Sequence, residues 1–352
     1  MNRWVLLVTC SLVGCGAPET PPSQTAGGAA SAGGGSASVG GGAAASAGGS
    51  ASAAGGSTSS AGGSAASAGG SASSAGGSSG GSAGGVASAG GSASSAGGAA
   101  SAGGTAVSVT AIDAIATGSA CYRYQWLNRG QMPRGFIKGV ARTFARAVCA
   151  PTRADVVVVS SAQTTDTAHD ALAWYQTQFS SAGLSNAQAG VDTLRHVYTL
   201  LLGLGMRESS GEHCTGRDTS ATNTTAATAE AGAWQTSYNS HTLHPQLDVL
   251  IAAFRTDDTH CHLSTFAEGV TCNAANWQSW GTGAGFDFQV REKACPVFAG
   301  EYAAVMLRVS GGSLGHYGPL RTRAAELRVE CDSMLNQVQQ LVTANPGLCS
   351  AL

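Results

Sequence analysis

Residues 200–240, LLLGLGMRESSGEHCTGRDTSATNTTAATAEAGAWQTSYNS, decide the fold, because they end a strongly apolar helix and continue into a loop of small residues. Apolar residues leading into this stretch recur at intervals of three and four, the period of one buried helical face. They are Val191, Leu194, Val197, Tyr198, Leu201 and Leu204. Residues 185–188 (SNAQ) have the pattern of a capping box. We therefore predict a helix that begins at Ser185 and ends near Gly211.

Glu208 continues the apolar face of this helix, since it follows Leu201 and Leu204 at the helical period. A carboxyl held against apolar side chains resists ionisation, and its pKa rises. A raised pKa suits a general acid that protonates a glycosidic oxygen near neutral pH. The alternative is that the helix ends before Glu208 and leaves a solvated carboxylate.

Two short motifs in this stretch resemble the goose-type lysozyme and soluble lytic transglycosylase family. They are residues 205–211 (GMRESSG) and residues 230–237 (EAGAWQTS). In that family a Glu-Ser pair ends a buried helix, and a Gly-Leu-Met-Gln turn further along the chain lines the sugar cleft. The resemblance implies that Glu208 is the catalytic acid and that Ser209, Gly232 and Gln235 contribute to the cleft.

The sequence departs from the family pattern within the second motif. Ala233 and Trp234 replace the usual Leu-Met, and Ser237 stands where some goose-type hydrolases carry an aspartate. The missing aspartate favours a lytic transglycosylase over a muramidase. In a transglycosylase Glu208 protonates the glycosidic oxygen, and the sugar's own 6-hydroxyl then ends the reaction without a second carboxylate.

Further candidates for the site carry more than one interpretation. Asp218 could supply a second carboxylate that activates water, or stabilise its own turn. Glu230 is a candidate polar residue at the cleft edge. Trp234 could stack on a sugar face or lie in the core. In the family a tyrosine from a later helix hydrogen-bonds the catalytic glutamate, which makes Tyr302 and Tyr317 the candidates in this chain.

The N-terminus has the features of an exported lipoprotein. Residues 1–3 are a short positive segment, and residues 4–13 form an apolar stretch too short to span a bilayer. Residues 12–15 (LVGC) resemble a bacterial lipobox, which implies a signal peptide at 1–14 and acylation of Cys15. An ordinary signal peptide is the alternative. Gly16 favours the outer membrane, so we expect a lipoprotein domain that faces the periplasm or the cell surface.

Residues 15–106 are almost entirely Gly, Ala and Ser in irregular repeats. Such side chains are too small to offset the entropy of ordering, so this segment is predicted to be a disordered tether. A flexible chain of ~90 residues has a root-mean-square span of roughly 50 Å. A domain anchored at Cys15 would therefore reach into a cell-wall layer or outward from the surface.

Residues 107–352 are long enough for one domain or for two lobes that share a cleft. Apolar periodicity predicts a mainly α (α+β) fold with a small β region in the loop after Glu208, which agrees with a lysozyme-like two-lobed architecture. Residues 154–160 (ADVVVVS) predict either a short strand or a buried helix. Helices are predicted to start after Pro133 and near Asp166, Ser185, Pro245, Pro296 and Arg321, the last one ending at Thr343.

Eight of the ten cysteines lie in this domain. An even number in an exported domain predicts up to four disulfides, and proximity in sequence favours Cys261 with Cys272 and Cys331 with Cys349. The segment at 260–262 (HCH) lacks the partner pattern of a metal site. We therefore expect no metal and no other cofactor.

Competing chemistries have little support in the sequence. Neither a Walker loop nor an H-E-x-x-H motif occurs in residues 107–352. The chain has 18 Lys and Arg against 20 Asp and Glu, a balance that argues against general nucleic-acid binding. The leading interpretation is a lipid-anchored enzyme that cleaves peptidoglycan. The alternative is a non-catalytic surface lipoprotein that binds glycan or a partner protein through the same cleft.

Overall fold

The computed structural model describes residues 107–217, 225–274 and 278–352. Cys15, the Gly/Ala/Ser-rich segment, Asp218 and Trp277 lie outside the described residues. Within the described ranges the chain is mainly helical with two small antiparallel sheets, so the predicted fold class is confirmed. None of the helices in these ranges has the length and apolar character needed to cross a membrane.

Helices account for most of the elements along the described chain. They are α1 (Val109–Gly118), α2 (Ala120–Arg123), α3 (Arg134–Cys149), α4 (Ala154–Ser160), α5 (Ala171–Trp174), α6 (Gln176–Ser181), α7 (Val191–Ser209), α8 (Pro245–Thr256), α9 (Leu263–Phe266), α10 (Ala284–Ala294), α11 (Pro296–Ser310), α12 (Gly318–Arg321) and α13 (Val329–Ala344). The strands are β1 (Gln125–Trp126), β2 (Gly130–Gln131), β3 (Glu230–Ala231) and β4 (Thr236–Ser237). Short 3-10 helices, Tyr238–Leu243 and Pro346–Ala351, follow β4 and α13.

Helix α7 is the centre of the fold. Every residue from Thr193 to Met206 is buried, because α3, α4, α11 and α13 pack around the helix. The burial thus extends all round the helix and not along one face only. Gly205 permits this close packing, since a Cβ at that position would lie 2.5 Å from the Phe136 ring. Such enclosure holds the end of α7 in a fixed place.

The predicted start of this helix is wrong by several residues. Helix α7 begins at Val191, after Gly190, whose φ of 138° is left-handed backbone that favours glycine. The backbone N–H of Gly190 donates to Ser160 O at 2.8 Å, and that of Gln163 donates to Asn186 O at 2.8 Å. The capping-box segment is therefore bound to the chain at the end of α4 and does not start α7.

The predicted end of the helix agrees with the structure. Glu208 and Ser209 both belong to α7, and Ser210 ends it with a left-handed φ of 59°. Gly211 follows with a φ of 78°. The alternative in which the helix ends before Glu208 is wrong.

Three other helices begin where proline predicts. Helix α3 follows Pro133, α8 starts at Pro245 and α11 starts at Pro296. Helix α11 ends at Ser310, before Gly311. Its side chains are buried almost throughout, so α11 joins α7 at the centre of the core.

Of the two alternatives predicted for residues 154–160, the structure shows the helix, α4. Two other predicted elements differ from the structure. The helix predicted near Asp166 starts later, because the Asp170 carboxylate caps it through Leu172 N at 3.0 Å, and it divides at Tyr175 into α5 and α6. The helix predicted over residues 321–343 is interrupted, since Arg323 has a φ of 54° and α13 begins at Val329.

The small β region predicted after Glu208 is present. Strands β3 and β4 pair antiparallel, with Glu230 opposite Ser237 and Ala231 opposite Thr236. A second hairpin, β1 with β2, lies near the start of the described chain. The sequence patterns did not predict this second hairpin or helices α1, α2, α9 and α10.

Four disulfides are present, which confirms their number but not the predicted partners. The pairs are Cys121–Cys331, Cys149–Cys349, Cys214–Cys272 and Cys261–Cys295. The first two join segments 210 and 200 residues apart in sequence. Helix packing creates such distant pairs, because α1, α2 and α3 all lie against α13. Proximity in sequence therefore gave the wrong partners.

Candidate active site

Glu208 lines a cavity of about 240 Å³ at the end of α7. One wall is the β3–β4 hairpin, which contributes Glu230, Gln235, Thr236 and Ser237. The opposite wall is the segment 316–321, which includes His316, Tyr317 and Arg321. The cavity thus brings together the two motifs of residues 205–211 and 230–237.

Glu208 has the electrostatic surroundings of a proton donor. Burial raises the pKa of its carboxyl to about 8, and the nearby Glu230 carboxylate contributes to the rise. Arg129, Arg207 and Arg321 lower it, but by less than burial raises it. At neutral pH the carboxyl therefore keeps its proton. This agrees with the raised pKa that was expected from its position on the apolar helix face.

Ser209 joins the helix end to the hairpin. Its hydroxyl is buried and lies 2.8 Å from Ala233 O and 3.1 Å from Gly205 O, so its one proton is shared between two carbonyls. Ser209 is not among the residues that line the cavity. It fixes the position of the hairpin relative to Glu208.

Trp234 belongs to the core and does not offer a face to a sugar. It is 0% exposed, and its Nε1 donates to Leu201 O at 2.9 Å. Its ring packs against Phe136 at 5.6 Å between centroids and against Phe266 at 6.5 Å. The tryptophan therefore anchors the hairpin turn to α7.

Gly232 and Gln235 shape the hairpin turn. Gly232 has a φ of +77°, and a Cβ there would lie 2.9 Å from Glu292 Oε2, so no larger residue fits without displacement. Gln235 has a φ of 49°, and its Nε2 donates to Gly232 O at 2.9 Å. Gln235 lines the cavity, whereas Gly232 lies behind it, against Glu292.

The structure separates the two candidate tyrosines. Tyr302 donates to or accepts from Ser240 Oγ at 2.8 Å and packs among Phe288 and Phe298. Tyr317 lines the cavity and is buried, and its hydroxyl has no hydrogen-bond partner among the described residues. Burial holds the pKa of Tyr317 well above its usual range, and the Glu292 and Glu208 carboxyls add to this effect. Tyr317 is therefore the tyrosine that shares the cavity with Glu208.

Glu292 is a second buried acid that the sequence patterns did not reveal. It is 0% exposed beneath the β3–β4 hairpin, and burial raises its pKa to about 8. The Thr236 hydroxyl next to it lowers that pKa, although the two groups do not meet hydrogen-bond geometry. Arg291 and Lys293 flank Glu292 in sequence, and such a run of charges is typical of a solvent-exposed helix face.

His316 is a further cavity residue that was not predicted. Its Nδ1 lies 2.9 Å from Ser310 Oγ, and burial together with Arg321 lowers its pKa, so the ring is neutral at neutral pH. Arg321 holds the same loop through Nη1, which donates to Gly315 O at 2.8 Å and to His316 O at 3.1 Å. A solitary histidine after a glycine-rich turn gave no sequence signal for this arrangement.

Two other features resemble a metal site and a serine-nucleophile motif. His213 lies close to Cys214 and Cys272, but the two sulfur atoms form a disulfide and are not thiolate ligands. Residues 311–315 (GGSLG) fit the G-x-S-x-G pattern of a hydrolase nucleophile turn, yet they follow helix α11 and not a strand. Neither feature supports a metal or serine-nucleophile mechanism.

A larger cavity of about 440 Å³ lies between α8 and α10. Its lining is mainly apolar and includes Ile251, Phe286 and Phe298. Neither Glu208 nor Glu230 contributes to it. The smaller cavity is therefore the better candidate for acid–base chemistry.

No family model matches the chain, and neither the curated proteins nor the solved structures include a significant match. The functional assignment therefore rests on the geometry of this cavity.

Proposed function

We propose that this protein is a peptidoglycan-cleaving enzyme that cuts the bond between N-acetylmuramic acid and N-acetylglucosamine, with Glu208 as the general acid. The observation that carries the proposal is a carboxyl with a pKa of about 8 that lines an open cavity. A protonated carboxyl at neutral pH can donate to the glycosidic oxygen as the C–O bond breaks.

The resemblance to lysozyme-like enzymes supports the same assignment. The two motifs of residues 205–211 and 230–237 are separate in sequence, and the Ser209 hydroxyl joins them in space at Ala233 O. Gln235 lines the cavity beside Glu208, as the resemblance implies. The phenol of Tyr317 is suited to orient the acid or a sugar hydroxyl, since it lines the same cavity.

The reaction needs no cofactor in this proposal. Glu208 gives its proton to the leaving oxygen, and the carboxylate that remains is stabilised by the positive charges of Arg129, Arg207 and Arg321. An acceptor must then attack the anomeric carbon. The acceptor is either the sugar's own 6-hydroxyl, as in a lytic transglycosylase, or water, as in a muramidase.

The predicted location fits a cell-wall substrate. A lipid anchor at Cys15 and a long tether would place the domain within reach of peptidoglycan from the outer membrane. The proposed partners are accordingly a glycan and the membrane lipid layer.

The proposal is tested with the purified protein and dye-labelled cell-wall sacculi near pH 7. Glu208→Gln keeps the shape of the side chain and removes the titratable proton, so dye release should fall by about 10²–10⁴-fold. Glu212→Gln is the matched control, because Glu212 lies just beyond the end of α7 and does not line the cavity, and it should release dye like the original protein.

The outcomes separate the enzyme from the non-catalytic alternative. A Glu208→Gln variant with full dye release would overturn the proposed mechanism. Binding to sacculi without dye release in the original protein would favour a glycan-binding lipoprotein.

A further inference from the structure

The position of Glu230 points to a second catalytic carboxylate in the cavity. We propose that Glu230 is the general base that activates water, and that the protein is therefore a hydrolase producing reducing ends. The inference rests on the proposed glycan cleavage and decides between its two possible acceptors. It replaces the transglycosylase expected from Ser237 in the sequence.

Glu230 is held in a defined place relative to Glu208. It is the first residue of β3 and stands opposite Ser237 in the β3–β4 ladder. The hairpin is fixed to the end of α7 by Ser209, through Ala233 O, and by Trp234, through Leu201 O. Because both carboxyls line one cavity, a substrate there can contact both.

The two carboxyls also influence each other electrically. After burial, the charge of Glu230 is the largest cause that raises the pKa of Glu208. A negative charge close to a carboxyl disfavours its ionisation, which is the direction of this effect on Glu208. Because burial raises the pKa of the Glu208 carboxyl, Glu208 is suited to keep the proton, and this leaves Glu230 to accept one. An acid and a base in one cavity are the two groups that glycoside hydrolysis needs.

Tyr317 provides an independent sign that the cavity holds a polar ligand. It is only 3% exposed, it lines the cavity, and its hydroxyl has no hydrogen-bond partner in the described chain. Glu208 and Glu230 both contribute to the raised pKa of its phenol, so the hydroxyl lies within the field of both carboxyls. A buried phenol in this position is suited to hold the attacking water or a sugar hydroxyl between acid and base.

The other charged and titratable groups of the cavity fit this assignment. Arg321 is engaged with the carbonyls of Gly315 and His316. His316 directs Nδ1 to Ser310 Oγ, and it is the competing candidate for the base. Its ring lies on the 316–321 wall, whereas Glu230 lies on the hairpin wall with Gln235.

The chemical step is balanced without any further reactant. The water oxygen forms a bond to the anomeric carbon as the bond to the leaving oxygen breaks. Glu208 transfers its proton to the leaving oxygen, and Glu230 takes a proton from the water. The products are a reducing muramic acid end and a free hydroxyl on the neighbouring sugar. Both carboxyls return to their starting states by exchanging protons with solvent.

The first test is the chemistry of the products from the original full-length protein. Reducing ends take up hydride from borohydride and are detected by mass spectrometry, whereas 1,6-anhydro ends do not react. We expect reducing ends. Exclusively 1,6-anhydro products would overturn the role of Glu230 and leave glycan cleavage by Glu208 standing.

The second test uses substitutions at Glu230. Glu230→Gln should release dye from sacculi at least about 10²-fold more slowly while still binding them. In Glu230→Ala, added azide should restore turnover and yield a glycosyl azide, because the small anion replaces the activated water. His316→Gln is the matched comparison and should respond to azide no more than the original protein.

The outcomes distinguish this inference from the proposed function. A Glu230→Ala variant at full activity, or azide rescue in His316→Gln alone, would contradict the role of Glu230. Full activity of Glu208→Gln would instead contradict the proposed function itself. Should Glu230→Gln fail to fold, as judged by its thermal transition, the product analysis of the original protein still decides the question.

Discussion

Two glutamates on the two central helices, the half-buried Glu208 on α7 and the buried Glu301 on α11, have different surroundings. Glu301 is 1% exposed, and its Oε1 accepts from both Arg146 and Arg153, the latter at 2.6 Å. Burial raises the pKa of both carboxyls, but Glu208 faces a cavity and forms no ion pair within the described part of the chain. The first glutamate is held in direct ion pairs with two arginines, whereas the second is influenced by arginines without a direct ion pair.

In the proposed mechanism, this difference separates a structural acid from a reactive one. A buried carboxylate with two arginine partners stabilises the fold as long as all three groups stay together. A buried carboxyl without such compensation keeps its proton at neutral pH and can give it away. The cost of that reactivity is a fold that is less stable at high pH.

The substitution expected to cost the most stability at a fixed pH is Glu301→Gln. The substitution leaves Arg146 and Arg153 without their shared carboxylate, so we expect a loss of about 3 kcal/mol. Urea unfolding at pH 7 measures it, with Glu208→Gln as the matched substitution that should cost nothing. An equal loss in both variants would remove the distinction between the two glutamates.

A second expected effect is a difference in how stability depends on pH. Because the pKa of Glu208 is about 8 in the folded protein and 4.5 in an ordinary glutamate, the folded form holds a proton that the unfolded form releases. Stability therefore falls as pH rises from about 4.5 to about 8, by up to ~1.4 kcal/mol per pH unit, and levels off above that range. Glu208→Gln should lack this part of the slope, and urea unfolding at several pH values tests it. Identical slopes in both proteins would mean that Glu208 ionises normally.

Glu292 sharpens the comparison, because it has a similarly raised pKa but does not line the cavity. Glu292→Gln should therefore retain dye release from sacculi within about threefold, below the 10² expected for a lost acid or base. The Tm should be unchanged or higher at pH 8, since a buried ionisable group has been removed. If Glu292→Gln lost as much activity as Glu208→Gln, a carboxyl with a raised pKa would matter for activity even without lining the cavity.

The smallest expected effect concerns Arg129, which lowers the pKa of Glu208 and donates through Nη2 to Arg207 O at 2.5 Å. Activity should decline above pH 8 as Glu208 loses its proton. Arg129→Gln removes a positive charge that lowers the pKa of Glu208, so the decline in activity should move to higher pH. The shift should be only a few tenths of a pH unit, because Arg129 is exposed and its charge is screened by solvent. A shift to lower pH would contradict the assignment of the acid.

Much of this site was predictable because it depends on local sequence. The apolar period of α7 reaches Glu208, and the motif with Gly232 and Gln235 predicts a turn after it. The start of the same helix was not predictable, since Gly190 and its hydrogen bond to Ser160 belong to tertiary structure. Local patterns predicted the helix end and the turn, but not the tertiary contacts that hold them in place.

Residues brought in from distant elements escaped prediction for the same reason. Glu292 lies in a charged run that is typical of a surface, and only the hairpin packed over it makes it buried. Tyr317 was a candidate beside Tyr302, and the structure alone places one in the cavity and the other against Ser240. The distant disulfide partners, such as Cys121 and Cys331, depend on helix packing in the same way.

The most direct test of Glu208 as a protonated acid is the titration of its carboxyl by ¹³C NMR in protein labelled at glutamate. The spectrum of Glu208→Gln assigns the resonance by its disappearance and separates it from that of Glu292. We predict a midpoint at about 8 for Glu208. A midpoint near 4.5, the value of an ordinary glutamate, would contradict its role as the acid.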